Sequence, residues 1–269
     1  MINRKSNFEI ERMRRAGEVV ARILSRLALA VRPDITTAEL NQLAEEGCRE
    51  FGVIPAFKGY QGFPASLCAS VNEEVIHGIP GKRRLKEGDI IGLDFGVVYE
   101  GYYGDAALTV AVGEVDPKHA KLIQITREAL WEGIKKARAG NRLSQVSQAI
   151  QSYVESNGFS VVRDYVGHGI GHEMHEEPQI PNYVSVYDEE YDPILKSGMT
   201  LAIEPMVNAG RYQVKVDRND HWTVTTKDRS FSAHFEHTIL VTADAPEILT
   251  KTPGTDNPKE DNPEGLISW

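Results

Sequence analysis

Five ionisable side chains interrupt segments of this chain that otherwise resemble buried strands, and they constrain its fold more than any other feature. They are Asp94, Asp105, His168, Glu204 and Glu236. A carboxylate inside an apolar segment loses its hydration at a high free-energy cost unless a cation or a hydrogen-bond partner compensates. Five such positions therefore predict a fold that gathers these side chains into one shared site.

Composition and charge exclude several other classes of protein. The chain has 269 residues, 41% of them hydrophobic, which is enough for one large core. No apolar run approaches the roughly 18 residues of a membrane helix, and the first residues lack the apolar stretch of a secretory signal. The only cysteines, Cys48 and Cys68, form no metal-binding motif, so we expect a reducing, cytoplasmic location. A net charge of -9 argues against nucleic acid as the main partner, and no membrane partner is expected.

The same order of helix signals occurs twice along the chain. Apolar residues at helical spacing predict a helix over residues 8–31, and residues 36–39 predict a capping box that starts a second helix ending near Gly52. Asp116 and Pro117 open a third helix, and Ser144 is expected to cap a fourth.

Strands that carry the five ionisable residues follow each pair of helices. We therefore predict a single domain over residues 1–250, built from two related halves of about residues 1–113 and 114–250, with the site where the halves meet. Residues 251–269 are rich in Pro, Gly, Asn and acidic residues, which is typical of a flexible tail.

The segments LDFGVVYEG and YYGDAALTV predict a β-hairpin that holds two of the five residues. If Tyr99 and Glu100 form its turn, Asp94 lies directly opposite Asp105. Like charges in that arrangement destabilise a strand pair, so a cation between the two carboxylates would account for it. Two solvated aspartates at the ends of the hairpin are the alternative, which the apolar neighbours of Asp94 disfavour.

Histidines cluster in the segment GHGIGHEMHEEP. His168 lies between two glycines, which permit close backbone approach and unusual dihedral angles, and His172 and His175 follow. A histidine on its own is more often a hydrogen-bonded structural residue, but three within eight residues favour a site. His77, which precedes Gly-Ile-Pro, fits a structural role and a catalytic role equally well.

Glu204 and Glu236 lie in the strand-like runs LAIEPMV and HFEHTILV. A buried glutamate is rare unless it is paired, so two metal ligands are the more economical interpretation. For Glu236 the alternative is an acid that faces outward at a sheet edge. Four carboxylates and one imidazole form a hard ligand set that suits two divalent ions, such as Co, Mn, Fe(II) or Zn. Two such ions would balance about four negative charges and would acidify a water between them.

Taken in order, these segments resemble the bacterial type I methionine aminopeptidases over roughly residues 5–248. The resemblance rests on NEEVIHGIPG, LDFGVVYEGYYGDAALT, GHGIGHEMHEEP, LAIEPM and SAHFEHT. It implies an α/β (α+β) pita-bread fold, with two pseudo-symmetric halves and a central antiparallel sheet covered by helices. It also implies a monomeric metallopeptidase that removes the initiator methionine from nascent polypeptides near the ribosome, by attack of a metal-bridging water on the first peptide bond.

The resemblance also implies a role for each matching residue. Asp94, Asp105, His168, Glu204 and Glu236 would bind the metal ions, with Asp105 and Glu236 as bridges. His77 and His175 would contact the substrate, and Glu204 would accept a proton from the attacking water. The methionine pocket would be lined by Phe57, Tyr60, Phe63, Cys68, Met174 and Trp222. Ordinary core packing is the alternative for these six residues, above all for Cys68.

Other functions fit the sequence less well. Proline-specific aminopeptidases and dipeptidases share the site but usually carry an additional N-terminal domain, which we do not expect here. A non-catalytic binding protein on the same fold would be expected to lack some of the ligands. A facial-triad oxygenase would need two histidines and one carboxylate.

Overall fold

The computed structural model describes residues 2–184 and 192–251. In that part of the chain the helices are α1 (Asn7–Ala30), α2 (Thr37–Phe51), α3 (Pro117–Ile134) and α4 (Leu143–Ser156). The strands are β1 (Ile54–Pro55), β2 (Cys68–Val71), β3 (Glu74–Ile76), β4 (Ile90–Tyr99), β5 (Tyr102–Ala111), β6 (Ser160–Val161), β7 (Gly167–Gly169), β8 (Glu176–Ile180), β9 (Thr200–Ile203), β10 (Met206–Asn208), β11 (Val214–Val216), β12 (Val224–Thr226), β13 (Ser232–His234), β14 (Glu236–Leu240) and β15 (Glu247–Ile248). The predicted tail lies outside the described residues, apart from Lys251.

Side-chain caps fix the starts of α2 and α3. The capping box predicted for α2 is present: the Glu39 amide donates to the Thr36 hydroxyl at 3.1 Å, and the Thr36 amide donates to the Glu39 carboxylate at 2.7 Å. Asp116 caps α3, as expected, by accepting a hydrogen bond from the Lys118 amide. None of the described helices is long and apolar enough to cross a membrane.

The cap predicted at Ser144 is wrong. Helix α4 begins after Arg142, and Ser144 lies within its first turn. There the amide and the hydroxyl of Ser144 both donate to the carboxylate of Asp192, which is 48 residues away in the chain. Because this acceptor is distant in sequence, the local pattern around Ser144 does not indicate it.

The helices pack against a central antiparallel sheet. Its strand order is β1-β4-β5-β14-β9-β7-β8, with β2 beside β4 and β15 beside β14. Helix α1 crosses the β4–β5 hairpin, while α3 pairs with α4 and contacts β5 and β9. The apolar face of α1 buries Met13, Val20, Leu24 and Leu27 completely. Burial of each such side chain contributes roughly 1.5–3 kcal/mol to stability.

The β4–β5 hairpin turns one residue later than predicted. Glu100 and Gly101 form the turn, with φ angles of 47° and 84°, so Tyr99 pairs with Tyr102. The type I′ turn, one of the two-residue turns that match the twist of a hairpin, needs positive φ at both positions, and glycine adopts such angles without strain. The glycine at position 101 therefore selects this turn.

The predicted direct opposition of the two aspartates is consequently wrong. Asp94 pairs with Ala107, and Asp105 pairs with Gly96. Asp94 and Gly96 project to one face, as do Asp105 and Ala107, because side chains alternate along a strand. The two carboxylates are therefore diagonal neighbours on one face of the sheet.

Helix α1 approaches the hairpin so closely that Gly104 has no room for a side chain. A Cβ at this position would lie 2.9 Å from the carbonyl carbon of Ala16 and 2.9 Å from the amide nitrogen of Gly17. Both atoms belong to the helix backbone, so only a shift of the whole helix could relieve the clash.

We expect Gly104→Ala to lower the free energy of unfolding by about 1–3 kcal/mol, because the helix must move to accommodate the methyl group. Urea denaturation measures this change. Gly92→Ala in β4 is the matched control, since its Cβ would meet its nearest atom at 3.6 Å, an ordinary contact distance. Equal destabilisation by the two substitutions would contradict the packing argument.

Candidate active site

Five neighbouring strands of the central sheet each position one of the five ionisable residues. In sheet order, these are Asp94 on β4, Asp105 on β5, Glu236 at the start of β14, Glu204 immediately after β9 and His168 on β7. Residues from distant parts of the chain are thus brought side by side.

The register of the first three strands puts their carboxylates on one face. Asp94 and Glu236 both pair with Ala107, and paired positions share a face. Asp105 lies two residues before Ala107 on the same strand, so its side chain projects to that face as well.

The register of the next two strands extends the same face. Thr238, two residues after Glu236, pairs with Ala202, and Ala202 pairs with His168. Glu204 follows Ala202 by two residues. All five ionisable side chains line one cavity.

Asp105 and Glu236 are buried, Asp94 and Glu204 are half-buried, and three of these carboxylates have a buried oxygen that no hydrogen-bond donor in the described part of the chain offsets. Asp94 Oδ1, Asp105 Oδ1 and Glu236 Oε1 have no hydrogen-bond partner among the described residues. Burial, and then the charges of neighbouring carboxylates, raises the pKa of Asp94, Glu204 and Glu236 well above the usual range. Burial raises the pKa of Asp105 to about 7. Such a cluster is favourable at neutral pH only if a cation compensates it.

His168 is oriented by its own backbone. Its Nδ1 lies 2.9 Å from the carbonyl oxygen of Gly169 and donates to it, which leaves Nε2 unprotonated at 3.5 Å from Glu204 Oε1. Burial, and then His175, lowers the pKa of His168 to about 3. Gly167 and Gly169 have ordinary φ angles, but a Cβ on either would clash with the neighbouring strands. These two positions require glycine because the neighbouring backbone lies so close, and not because their dihedral angles are unusual.

His234 belongs to the same cluster, although the sequence patterns above did not indicate it. Its buried Nε2 lies 3.6 Å from Glu204 Oε2. Burial, and then His77, lowers the pKa of His234 to about 3. The available signal was its position two residues before Glu236, which places both side chains on one face of an extended segment.

The ligand atoms are close enough to bind divalent metal ions. Those of Asp105, His168 and Glu236 lie within 4.8 Å of one another, as do those of Glu204, His234 and Glu236. Carboxylate oxygens that lack a donor among the described residues, together with the unprotonated Nε2 of His168, match the ligand preference of divalent ions such as Mn, Fe(II), Co and Zn. The residues present therefore fit such ions.

His77 lies beside the same cavity, immediately after β3. Its φ is 59°, and a Cβ on the next residue, Gly78, would clash with the backbone of β2. Its ring meets two aromatic rings edge to face. The centroid of the His77 ring lies 5.8 Å from that of Tyr165 and 6.1 Å from that of Trp222. Burial, and then His175, lowers the pKa of His77 to about 4, so its ring is neutral near pH 7.

His175 contacts both the ionisable cluster and Tyr60, which lines the cavity. Its ring centroid lies 4.4 Å from that of His168, and its Nδ1 lies 2.7 Å from the Tyr60 hydroxyl. Burial lowers the pKa of His175. His172 does not line the cavity; its ring packs on Tyr102, with centroids 4.1 Å apart.

A mostly apolar pocket forms the other side of the cavity, which has a volume of about 150 Å³. All six residues predicted to line it do so: Phe57, Tyr60, Phe63, Cys68, Met174 and Trp222. Gln61, which was not predicted, lines it too. Burial, and then the nearby carboxylates, raises the pKa of the Cys68 thiol well above its usual range. The thiol therefore stays protonated, and Cys68 lines the pocket without acting as a nucleophile.

Comparison with known proteins agrees with this geometry. The model of metallopeptidase family M24 matches residues 11–243. The methionine aminopeptidase of Clostridium acetobutylicum is 54% identical over 251 residues, which cover 93% of this chain and 99% of that protein. Methionine aminopeptidase 1 of Bacillus subtilis is 51% identical over 251 residues, covering 93% and 100%.

Solved structures of other proteins have the same fold as this chain. The crystal structure of methionine aminopeptidase from Thermotoga maritima has a TM-score of 0.90 and 50% identity, covering 93% of this chain and 100% of that one. The Xaa-Pro dipeptidase of Bacillus anthracis, at 23% identity and a TM-score of 0.74, shares the fold across 62% of its length. The expected pita-bread fold is confirmed, and the chain belongs to metallopeptidase family M24.

Proposed function

We propose that this protein is a metal-dependent aminopeptidase that removes the N-terminal methionine from polypeptides. The observation that carries the proposal is a single cavity in which five ionisable residues, two further histidines and an apolar pocket meet. The ionisable residues provide the means of hydrolysis, and the pocket provides selectivity for the first side chain. Relatives that share nearly the full length of this region carry the name methionine aminopeptidase.

The metal site would use the five predicted ligands. Asp94, Asp105, His168, Glu204 and Glu236 would hold two divalent ions. Bound divalent ions polarise a carbonyl group and lower the pKa of water. The free amine of the substrate would bind at this acid-lined end of the cavity, which restricts cleavage to the terminal residue.

Glu204 is the proposed proton acceptor. Its two carboxylate oxygens lie 3.5 Å and 3.6 Å from the Nε2 atoms of His168 and His234, respectively. Two imidazole nitrogens thus flank the carboxylate. From there Glu204 would take a proton from the attacking water and pass it to the leaving amine.

His175 is the proposed hydrogen-bond donor to the oxygen of the scissile carbonyl. In this proposal the Tyr60 hydroxyl donates to Nδ1, across the 2.7 Å separation, so the ring proton resides on Nε2. An N–H group aimed at an oxygen that becomes negative stabilises the transition state more than the ground state. His77 would contact the amide nitrogen next to the bond that is cleaved.

The apolar pocket suits an unbranched thioether side chain. The rings of Phe63 and Trp222 meet edge to face, with centroids 5.2 Å apart, and Met174 packs with them. Sulfur in a methionine side chain makes favourable contacts with aromatic rings. This pocket would therefore select methionine over polar or β-branched residues.

We also propose that residues 1–250 form one catalytic domain of two related halves. The first half would contribute Asp94 and Asp105, and the second would contribute the other three ligands. Such a domain would act as a monomer in the cytoplasm on the N-termini of newly made polypeptides, near the ribosome.

Hydrolysis of two peptides tests the proposal. Protein stripped of metal and refilled separately with Mn, Co, Fe(II) or Zn is incubated with Met-Ala-Ser and with Ala-Pro-Ser. We expect release of methionine only, and only after metal is added. Release of alanine from Ala-Pro-Ser would indicate a proline-specific enzyme, and no cleavage with any metal would indicate a binding protein.

Replacement of His175 separates catalysis from metal binding. We expect His175→Ala to lower kcat by about 100-fold or more, the usual effect of removing one donor to a developing oxyanion. Its metal content, measured by elemental analysis, should equal that of the unmodified protein. A parallel loss of metal would place His175 among the ligands instead.

Removal of the Tyr60 hydroxyl tests the orientation of His175. Tyr60→Phe keeps the ring that lines the pocket, so we expect kcat to fall about 10-fold, or ~1.4 kcal/mol, while KM changes little. Tyr103→Phe is the control, because it removes a nearby hydroxyl that does not bond to His175. A rise in KM with unchanged kcat would assign Tyr60 to substrate binding alone.

A further inference from the structure

A buried ion pair joins the N-terminal segment to the turn that carries His175. Lys5 Nζ donates to Glu176 Oε2 at 2.6 Å, and the two side chains are only 4% and 9% exposed. By contrast, Arg14 of α1 pairs with Glu247, and these two side chains are 42% and 31% exposed. Ions that are this deeply buried require close pairing, so the Lys5–Glu176 contact is strongly constrained.

The carboxylate of Glu176 also accepts hydrogen bonds from the backbone of this turn. Its Oε1 atom accepts hydrogen bonds from the amides of His172 at 2.9 Å and Glu173 at 3.4 Å. Inside the turn, the amide of Gly171 donates to the carbonyl of Glu173 at 3.0 Å. One side chain therefore holds the backbone that leads into His175.

Lys5 is itself fixed at both ends. Its amide donates to the carbonyl of Gly198 at 2.6 Å, and its ammonium group contacts Glu176. Its aliphatic stem fills the space beside Gly171, where a Cβ would clash with the Cε and Nζ atoms of Lys5. The lysine thus reaches Glu176 only because residue 171 has no side chain.

We infer that Lys5 is a positioning residue for His175. The ring of His175 lies 4.4 Å from the ring of His168, and its Nδ1 bonds to the Tyr60 hydroxyl. The turn that Glu176 holds sets the position of the backbone from which this ring projects. Loss of the Lys5 ammonium group removes the partner of Glu176 and frees that carboxylate to leave the amides of His172 and Glu173. The inference rests on the proposed role of His175 as a hydrogen-bond donor.

A merely structural role for the pair gives a different result. In that case, loss of Lys5 would lower the melting temperature but would leave kcat unchanged wherever the variant is fully folded. A positioning role lowers kcat in the folded, metal-loaded enzyme and leaves KM nearly unchanged, since the methionine pocket is lined by other residues.

The test uses Lys5→Met, which keeps most of the stem and removes the charge, and Glu176→Gln, which keeps an oxygen acceptor. Both are assayed on Met-Ala-Ser with saturating metal, at a temperature where circular dichroism shows the folded state. We expect kcat to fall about 10-fold or more in each, with KM within about threefold and with full metal content. Arg14→Met is the matched control, because it removes an ion pair of α1 away from the turn, and its kcat should be unchanged.

A double-mutant cycle with His175→Ala gives the decisive result. If Lys5 acts through His175, adding Lys5→Met to His175→Ala should change kcat by less than about twofold. Multiplied losses, or an unchanged kcat for Lys5→Met alone, would overturn the inference. If Lys5→Met does not fold, the same cycle with Glu176→Gln decides. An unchanged kcat for His175→Ala would instead remove the proposed role of His175, which distinguishes the two failures.

Discussion

The structure depends on the cost of burying four carboxylates on one face of a sheet. Each of them raises the free energy of the folded chain unless a cation compensates it, and the repulsion among them adds to that cost. The antiparallel register makes the arrangement unavoidable once the strands pair: Asp94 and Glu236 flank the same residue, Ala107, on adjacent strands. A fold that accepts this cost is one adapted to bind divalent ions, which is the property expected of family M24.

Close backbone packing sets the spacing between the elements around that face. Gly104 brings α1 against the hairpin that holds Asp105, and Gly167 and Gly169 bring the strand of His168 between its neighbours. Backbone atoms fill the space that a side chain would need, so a side chain at any of these three positions would push the neighbouring elements apart. The five ionisable side chains therefore project from closely packed strands, whereas His175 lies in a turn whose backbone is held by the side chain of Glu176.

The residues of the site were easier to predict from sequence than their contacts. Asp94 and Glu236 are conspicuous because a charge in an apolar strand is unusual, and the glycines beside His168 mark a close approach. The hairpin register was missed because it depends on which residue occupies the second turn position, here Gly101. His234 was missed because a histidine in a strand is not anomalous by itself. The partners of Ser144 and Lys5 were beyond reach, since they lie 48 and 171 residues away in the chain.

The most direct test of the account is an anomalous difference map from crystals of the protein grown with Mn²⁺. We expect two manganese peaks bound by Asp94, Asp105, His168, Glu204 and Glu236. Manganese bound elsewhere while this cluster holds none would contradict the central claim that the sheet register creates a metal centre. A single peak would contradict its two-ion form.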